Sequence, residues 1–385
     1  MNVTLEPQLL RWARNRAGLD KSALAKKLGV KPERVAEWES NGELPYKKAE
    51  LLAQKTYTPF GHLFLTTPPE DKLPIPDFRT LRDAPVQRPS PDLLETVYQM
   101  QRRQAWMRDF LVEEGEPALG FIGSATIEQA PERISQDMRR VFGFAEGWAA
   151  QERTWTGALM HLRQKIEEVG VLIVFNGVVG NNNHRKLKPD EFRGFALCDS
   201  HAPLIFINGA DFKAAQMFTL AHELAHLWIG KDGVSNFDAL QPLPNEVEKW
   251  CNAVAAEFLV SARELRAVWP QAQRAAEPYQ YIAGRFKVSV LVAARRVLDL
   301  ALTSRAEFSD FFHAYQDDER RRQKLKPSGG NFWATQNVRI GQSFGAAVVR
   351  SAREGKLLYR EAYRLTGLSG GTFDRFAEKL GFQPR

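Results

Sequence analysis

Side chains with metal-binding chemistry are concentrated in residues 218–228, which read FTLAHELAHLW. His222 and His226 lie one turn apart on the same face of an α-helix, so their imidazoles can bind one metal ion. Glu223 lies about 100° further round the helix and can reach a water on the open side of that metal. The leucines beside these residues give the helix an apolar side that would bury it in a core, where a metal site is held rigidly.

A second helical pattern, at residues 246–259 (EVEKWCNAVAAEFL), can supply the remaining ligand. Catalytic zinc commonly takes two histidines and one glutamate and leaves its fourth position to water. Glu248 can complete that set from a facing helix, and Asn252, one turn later, can accept the N–H of a ligating histidine. Glu246 and Glu257 are alternatives, but both point away from the Glu248 face, and we expect them to be solvated carboxylates.

The two motifs together resemble the ImmA/IrrE family of zinc metallopeptidases. The runs FTLAHELAHLWIG and ExxCNAVAAEFL are similar to that family's HExxH helix and to its later ExxAN-x-FAAELL helix. Glu248 falls on the third-ligand position, whereas Cys251 replaces the usual alanine and Val260-Ser261 the usual Met-Pro. The resemblance spans residues 155–265 and implies a zincin-like α+β domain that binds Zn²⁺ through His222, His226 and Glu248. It also implies that Glu223 is the catalytic base.

Three short apolar segments before the HExxH helix are predicted to be strands, at residues 170–175, 192–198 and 204–207. By resemblance, the segment 204–207 would pair with the backbone of a peptide substrate, which is a common way of binding an extended peptide. Asn208 or Asp211 is expected to cap the metal helix, because short polar side chains accept hydrogen bonds from the first turn.

The segment 176–188 is rich in glycine and asparagine and is predicted to be a loop beside the cleft. A peptidase also needs a donor that stabilises the oxyanion of the reacting carbonyl. The candidates are His184 in this loop, His201 and an arginine, and the sequence does not choose between them.

The first 65 residues are predicted to form five short helices, with Asp20 capping the second. The stretch LDKSALAKKLGVKPERVAEWESNGELP resembles the XRE (lambda-repressor-like) family of helix-turn-helix DNA-binding proteins. The resemblance implies phosphate contacts and base contacts by exposed side chains of the second and third helices: Lys21 and Lys31 for phosphates, and Glu33, Arg34 and Glu37 for bases. Arg34 could bind guanine, whereas the glutamates lose Coulomb energy near phosphates. The alternative is a helix-turn-helix kept for protein contacts.

These patterns predict a mainly α-helical chain with a small β-sheet, organised in domains. Residues 1–67 are the expected five-helix DNA-binding domain, and 68–92 a proline-rich linker that contains Pro68, Pro69, Pro74, Pro76, Pro85, Pro89 and Pro91. Residues 93–320 are the expected metallopeptidase domain with its core at 155–265. Residues 331–385 form a C-terminal helical region without a chemical motif.

The composition is typical of a soluble globular protein. The 385 residues contain 44% hydrophobic and 26% charged residues, no apolar run of membrane-spanning length and no signal peptide. Only two cysteines occur, so no disulfide framework is implied, and a cytoplasmic location is expected. The net charge of +7 permits contact with nucleic acid without requiring it.

The sequence therefore predicts a DNA-binding regulator with a zinc-dependent endopeptidase domain. By resemblance, its partners are operator DNA and a repressor or antitoxin-type protein substrate, and a homodimer would match two operator half-sites. One alternative is a non-proteolytic repressor or antitoxin of a toxin–antitoxin or mobile-element circuit, whose metal domain senses or binds a partner. Another is a purely structural metal, which the presence of Glu223 disfavours.

Overall fold

The computed structural model describes residues 1–77, 88–235, 245–317 and 332–383. They are divided between two compact units. The first unit comprises Met1–Pro74 and, after the linker, the described residues up to Tyr98. The second unit comprises the short segment that begins at Ile75 and the chain from Gln99 onwards. The fold is mainly helical with small sheets, and its N-terminal, central α+β and C-terminal parts agree with the predicted fold class.

The first unit is a bundle of short helices with one small sheet. Its elements are β1 (Asn2–Thr4), α1 (Pro7–Arg16), α2 (Lys21–Leu28), α3 (Pro32–Asn41), β2 (Glu43–Pro45), α4 (Tyr46–Lys55) and a 3₁₀ helix (Phe60–Phe64). The antiparallel pair β1–β2 was not predicted from sequence. Apolar side chains from every helix form one core, because each helix has a buried stripe and an exposed face.

The ends of the helices in this unit follow local sequence signals. Asp20 Oδ1 accepts a hydrogen bond from Ala23 N at 2.6 Å, as the predicted cap of α2. Gly42 ends α3 with a φ of 76° and lies against Leu5, where a Cβ atom would stand 2.0 Å from the Leu5 carbonyl oxygen. Only glycine fits that close approach.

The second unit contains the remaining helices. Before the sheet region lie α5 (Pro91–Glu113, which begins in the first unit), α6 (Pro131–Phe142), α7 (Trp148–Gln151) and α8 (Trp155–Glu168). The helices that follow β7 in the chain are α9 (Lys213–Ile229), α10 (Glu246–Leu259), α11 (Ala262–Ala272), α12 (Pro278–Phe286), α13 (Val290–Asp299) and α14 (Arg305–Asp317). The C-terminal helices are α15 (Phe332–Ile340), α16 (Gln342–Arg353), α17 (Tyr359–Thr366) and α18 (Gly371–Lys379).

The sheet of the second unit has four strands in the order β3-β7-β6-β8. Its strands are β3 (Leu172–Asn176), β6 (Gly194–Leu197), β7 (Leu204–Asn208) and β8 (Gly233–Ser235). β3 and β7 run parallel, whereas β6 is antiparallel to both β7 and β8. β3 and β7 are buried along their whole length, which agrees with their unbroken apolar sequences.

Two expectations about this region are wrong. The segment predicted as a loop contains a hairpin of β4 (Val178–Val179) and β5 (Asn182–Lys186), whose polar residues conceal the strand pattern. The strand expected to bind substrate, β7, lies between β3 and β6 and is hydrogen-bonded on both edges, so it has no edge for a peptide. The strand β8 was not predicted at all.

The C-terminal helices pack on the same unit. Gly341 separates α15 from α16, and its φ of 87° favours glycine. α15 lies against β3. None of the helices among the described residues is long and apolar enough to cross a membrane.

Candidate metal centre and DNA-facing helix

Two packed helices, α9 and α10, carry the side chains singled out by the sequence. α9 is buried from Gln216 to Trp228 and ends at Gly230, whose φ of 63° suits glycine. α10 begins at Asn245, whose side chain accepts a hydrogen bond from Val247 N at 2.9 Å. α9 is not capped as expected, because Phe212 stands at its N-cap, and the side chains of Asn208 and Asp211 accept from Ala210 N and Phe212 N.

The three predicted ligands lie together in the core. His222 Nε2 is 3.2 Å from Glu248 Oε2, and His226 Nε2 is 3.0 Å from Glu248 Oε1. The two Nε2 atoms are 3.2 Å apart. Among the described residues these side chains form the group of acids and histidines whose ligand atoms all lie within 4.8 Å of one another.

The outer nitrogen of the His222 imidazole points to an acceptor. His222 Nδ1 is 2.8 Å from Asn252 Oδ1, so that nitrogen carries the proton and donates to the amide oxygen. This contact leaves an unprotonated Nε2 of His222 facing the centre of the cluster, which is the arrangement of a metal-binding histidine.

The donor set fits a divalent cation. Two imidazoles and a carboxylate converge, and among the described residues neither oxygen of the buried Glu248 carboxylate has a hydrogen-bond donor, which is unfavourable unless a cation lies beside them. Two histidines and one glutamate match zinc, which binds nitrogen and oxygen ligands in this combination. His222, His226 and Glu248 would therefore be the residues that hold the ion.

Charges in the cluster displace the pKa values of its members. Burial alone would raise the pKa of Glu248, but the adjacent imidazoles of His222 and His226 outweigh it and lower this pKa to about 2. Burial lowers the pKa of His226, with the Glu248 carboxylate acting in the opposite direction. Burial and then the charge of Glu248 hold the pKa of Glu223 well above its usual range.

Glu223 lies between α9 and the edge of the sheet. Ser235, at the end of β8, lies beside Glu223, and its Oγ is 3.4 Å from His222 Nε2. On β6, an added Cβ at Gly194 would stand 3.1 Å from Glu223 Oε1. Sequence reasoning missed both neighbours, because Ser235 and Gly194 belong to no motif and reach Glu223 only through the pairing of β6 with β8.

The two alternative glutamates have other partners. Glu246 is exposed and pairs with Lys249 one turn away, as a solvated carboxylate does. The expectation that Glu257 is also solvated is wrong, since it is buried, forms an ion pair with Arg296 and accepts hydrogen bonds from Ala262 N. α10 therefore carries two buried carboxylates with different partners: Glu257 pairs with Arg296, whereas Glu248 faces the histidines.

The oxyanion candidates lie in different places. His184 is exposed on β5, and the ring of His201 is 3.1 Å from Ser200 Oγ. Neither position selects one of them as the donor.

The side chains proposed for DNA contact are exposed on α2 and α3. Val35 and Trp38 point into the core of the first unit, so the opposite face of α3 presents Glu33, Arg34 and Glu37 to solvent. Arg34 NH1 forms an ion pair with Glu37 Oε2 at 2.5 Å. Lys31 stands at the N-cap of α3, and Lys21 Nζ is 3.9 Å from Glu39, a buried carboxylate that also binds Arg14.

Comparison with known families gives three matches along the chain. Residues 10–56 match the family model described as helix-turn-helix, and residues 166–298 match the IrrE N-terminal-like domain of peptidase family M78. Residues 340–379 match a domain of unknown function (DUF8813). A search of curated proteins gives no significant match, and neither does a search of solved structures.

Proposed function

We propose that this chain, in which a helix-turn-helix domain of the XRE type precedes an IrrE-like domain of peptidase family M78, is a DNA-binding regulator that acts as a zinc-dependent endopeptidase. Its substrate would be another regulatory protein, of the repressor or antitoxin type. The observation that carries this proposal is the buried convergence of His222, His226 and Glu248 beside the carboxylate of Glu223.

Each side chain has a distinct part in the proposed reaction. Zinc held by His222, His226 and Glu248 would supply Lewis acidity towards the scissile carbonyl and the attacking water. Glu223 would accept the proton of that water on its carboxylate and pass it to the leaving nitrogen of the peptide. Burial and the charge of Glu248 raise its pKa, which makes this carboxylate a stronger proton acceptor.

Asn252 would keep His222 in the ligating tautomer. It accepts the Nδ1 proton at 2.8 Å, which leaves Nε2 able to bind the ion and fixes the plane of the ring.

The helix-turn-helix would place α3 in the major groove of an operator, with Lys21 and Lys31 at phosphates and Glu33, Arg34 and Glu37 at bases. The ion pair between Arg34 and Glu37 must open before Arg34 can bind guanine, so part of its binding energy offsets that loss. Binding of two half-sites by a homodimer belongs to this proposal.

One observation favours a second candidate function. His222, Glu223, His226 and Glu248 are at most 1% exposed, which suits a metal site that serves as a sensor or a structural centre. In that case the chain would be a non-proteolytic repressor whose metal domain binds a partner.

Substitution of Glu223 tests the proposal against this alternative. Glu223→Gln should keep zinc, because residue 223 is not among the expected ligands, and should lower cleavage of a protein encoded beside this chain by about 10²–10⁴-fold. The measurements are zinc content by atomic absorption and product formation by mass spectrometry.

Two variants on α10 serve as controls. Glu248→Gln should lose zinc, whereas the exposed Glu246→Gln should match the parent in both zinc content and cleavage. Equal cleavage by Glu223→Gln and the parent would show that Glu223 is not the base. Normal operator binding by the parent, without cleavage of any candidate substrate, would favour the non-proteolytic regulator.

A further inference from the structure

The candidate catalytic cluster is closed to any peptide. An endopeptidase must admit an extended chain to its metal ligands and base, yet none of the four side chains, His222, Glu223, His226 and Glu248, is more than 1% exposed. Ser235 contributes to this closure. Its hydroxyl oxygen lies 3.4 Å from His222 Nε2 and next to Glu223, so it occupies the space beside a ligand and the base.

Ser235 is the last residue of β8, a strand of three residues that is held from both sides. On the inner side, β8 pairs with β6, and Arg193 N donates to the Ser235 carbonyl at 3.0 Å. On the outer side, Val234 N donates to the Pro76 carbonyl at 3.0 Å, and Asp77 forms a parallel bridge with Val234. The chain segment Ile75–Asp77 therefore covers the outer edge of the strand that closes the cluster.

The composition of this segment limits the hydrogen bonds that it can donate. Pro76 faces β8 with its carbonyl but has no N–H to donate, and Pro74 likewise lacks a donor. Ile75, which is 6% exposed, adds a buried apolar side chain. An extended peptide that donates from each of its residues can therefore compete for the same edge.

The segment also begins directly after the DNA-binding unit. Asp71, a few residues before Ile75, accepts hydrogen bonds from Trp12 Nε1 at 3.2 Å and Arg16 Nε at 2.8 Å. The segment therefore directly follows a part of the chain that is held to the first unit.

We propose that Ile75–Asp77 is a latch, which keeps β8 and its Ser235 closed over the candidate cluster. This inference rests on the proposed peptidase function and adds its regulation. In the resting chain the latch occupies the outer edge of β8, and the site opens when the segment leaves that edge. A substrate peptide in extended conformation then competes for the exposed strand.

Hydrogen exchange on the full chain tests the latch without any substrate. The Val234 amide should be protected in the parent and should exchange about ten-fold faster or more in Ile75→Asp, because a buried charge ejects the segment. Lys72→Ala is the matched control, since Lys72 is exposed in the same linker and pairs with its neighbour Glu70. Fast exchange of Val234 in the parent would overturn the proposal, and this measurement needs no variant.

Zinc release provides a second readout of closure. The rate at which a chelator removes zinc from the loaded chain should rise about ten-fold or more in Ile75→Asp and stay unchanged in Lys72→Ala. If Ile75→Asp does not fold, the milder Ile75→Ser replaces it, with the same expected order. Equal release from the parent and a folded Ile75 variant would contradict the latch.

A synthetic peptide added to the chain tests whether the outer edge of β8 is the surface that Ile75–Asp77 covers. A fluorescent peptide with the sequence EDKLPIPD, residues 70–77, should bind the folded Ile75 variant and not the parent, whose edge is occupied. Binding to both forms or to neither would contradict the latch. If the chain binds no zinc, or if opened variants cleave nothing, the peptidase function fails, while the exchange of Val234 still decides the latch separately.

Discussion

At the level of single residues, the candidate site is a balance between burial and charge. The Glu248 carboxylate stays ionised inside the core because two imidazoles stand 3.2 and 3.0 Å from its oxygens. For Glu223, burial and then the charge of Glu248 both raise the pKa. The two acids lie on neighbouring helices, and their pKa values are shifted in opposite directions. Glu248 is therefore suited to binding a cation, and Glu223 to exchanging a proton.

The depressed pKa of Glu248 predicts how the stability of the metal-free chain depends on pH. Its pKa is about 2 in the folded chain against the ordinary value of 4.5, so its stabilising contribution is complete above pH 4.5. That contribution is lost as the pH falls from there towards 2. Between these values the free energy of unfolding should fall less steeply in Glu248→Gln than in the parent.

Urea unfolding followed by circular dichroism, after removal of metal, measures this slope. Glu246→Gln on the same helix should reproduce the slope of the parent, because Glu246 is exposed and its carboxylate is paired only at the surface. Equal slopes for Glu248→Gln and the parent would contradict the assigned pKa.

At the level of elements, the site depends on how closely α9 approaches the sheet. At Gly194 of β6, an added Cβ would lie 2.7 Å from Thr219 Cγ2 and 2.9 Å from the Phe206 carbonyl oxygen. A glycine at this position therefore allows the helix that bears Glu223 to pack directly on the strand.

Gly194→Ala should lower the free energy of unfolding by about 1–3 kcal/mol, because neither the strand nor the helix can give way without repacking. Gly284→Ala is the control. Gly284 lies inside α12 with no atom within 4 Å of an added Cβ, and alanine there should stabilise the chain by about 0.5–1 kcal/mol. Denaturant unfolding at neutral pH measures both changes, and an unchanged stability in Gly194→Ala would contradict the close packing.

At the level of the whole molecule, Arg103 of α5 holds the C-terminal helices to the rest of the second unit. Its Nε donates to the Leu365 carbonyl and its NH1 to the Arg339 carbonyl, each at 2.9 Å, near the C-terminal ends of α17 and α15. Burial, and then the charge of Arg102, lowers its pKa to about 10, so the guanidinium remains charged at neutral pH. A cation at two helix C-termini also matches their dipoles.

Arg103→Met keeps much of the apolar side chain and removes both donors. The free energy of unfolding should fall by about 2–3 kcal/mol, because two buried carbonyls lose a charged partner. Hydrogen exchange should accelerate most in α15 and α17. Arg108→Met, an exposed change on the same helix, should alter stability by less than about 0.5 kcal/mol, and a similar loss in both variants would contradict the anchoring role.

The sequence by itself determined what depends on local spacing and local chemistry. The HExxH turn brings His222 and His226 to one helix face whatever the fold around them, and Asp20 caps α2 through its own backbone neighbours. The apolar runs of β3 and β7 were recognisable because both strands are buried on both faces. The juxtaposition of Glu248 with the histidines was also anticipated, since one face of a second helix had to meet α9.

Tertiary structure alone decided the contacts that no spacing rule contains. The order β3-β7-β6-β8 leaves β7 without an edge, and it places Ser235 beside Glu223 through a strand too short to show a pattern. Glu257 was expected in solvent, but Arg296 from a distant helix makes its burial favourable. Each of these outcomes depends on segments far apart in the chain, because strand order and ion pairing are set by packing and not by the neighbouring residues.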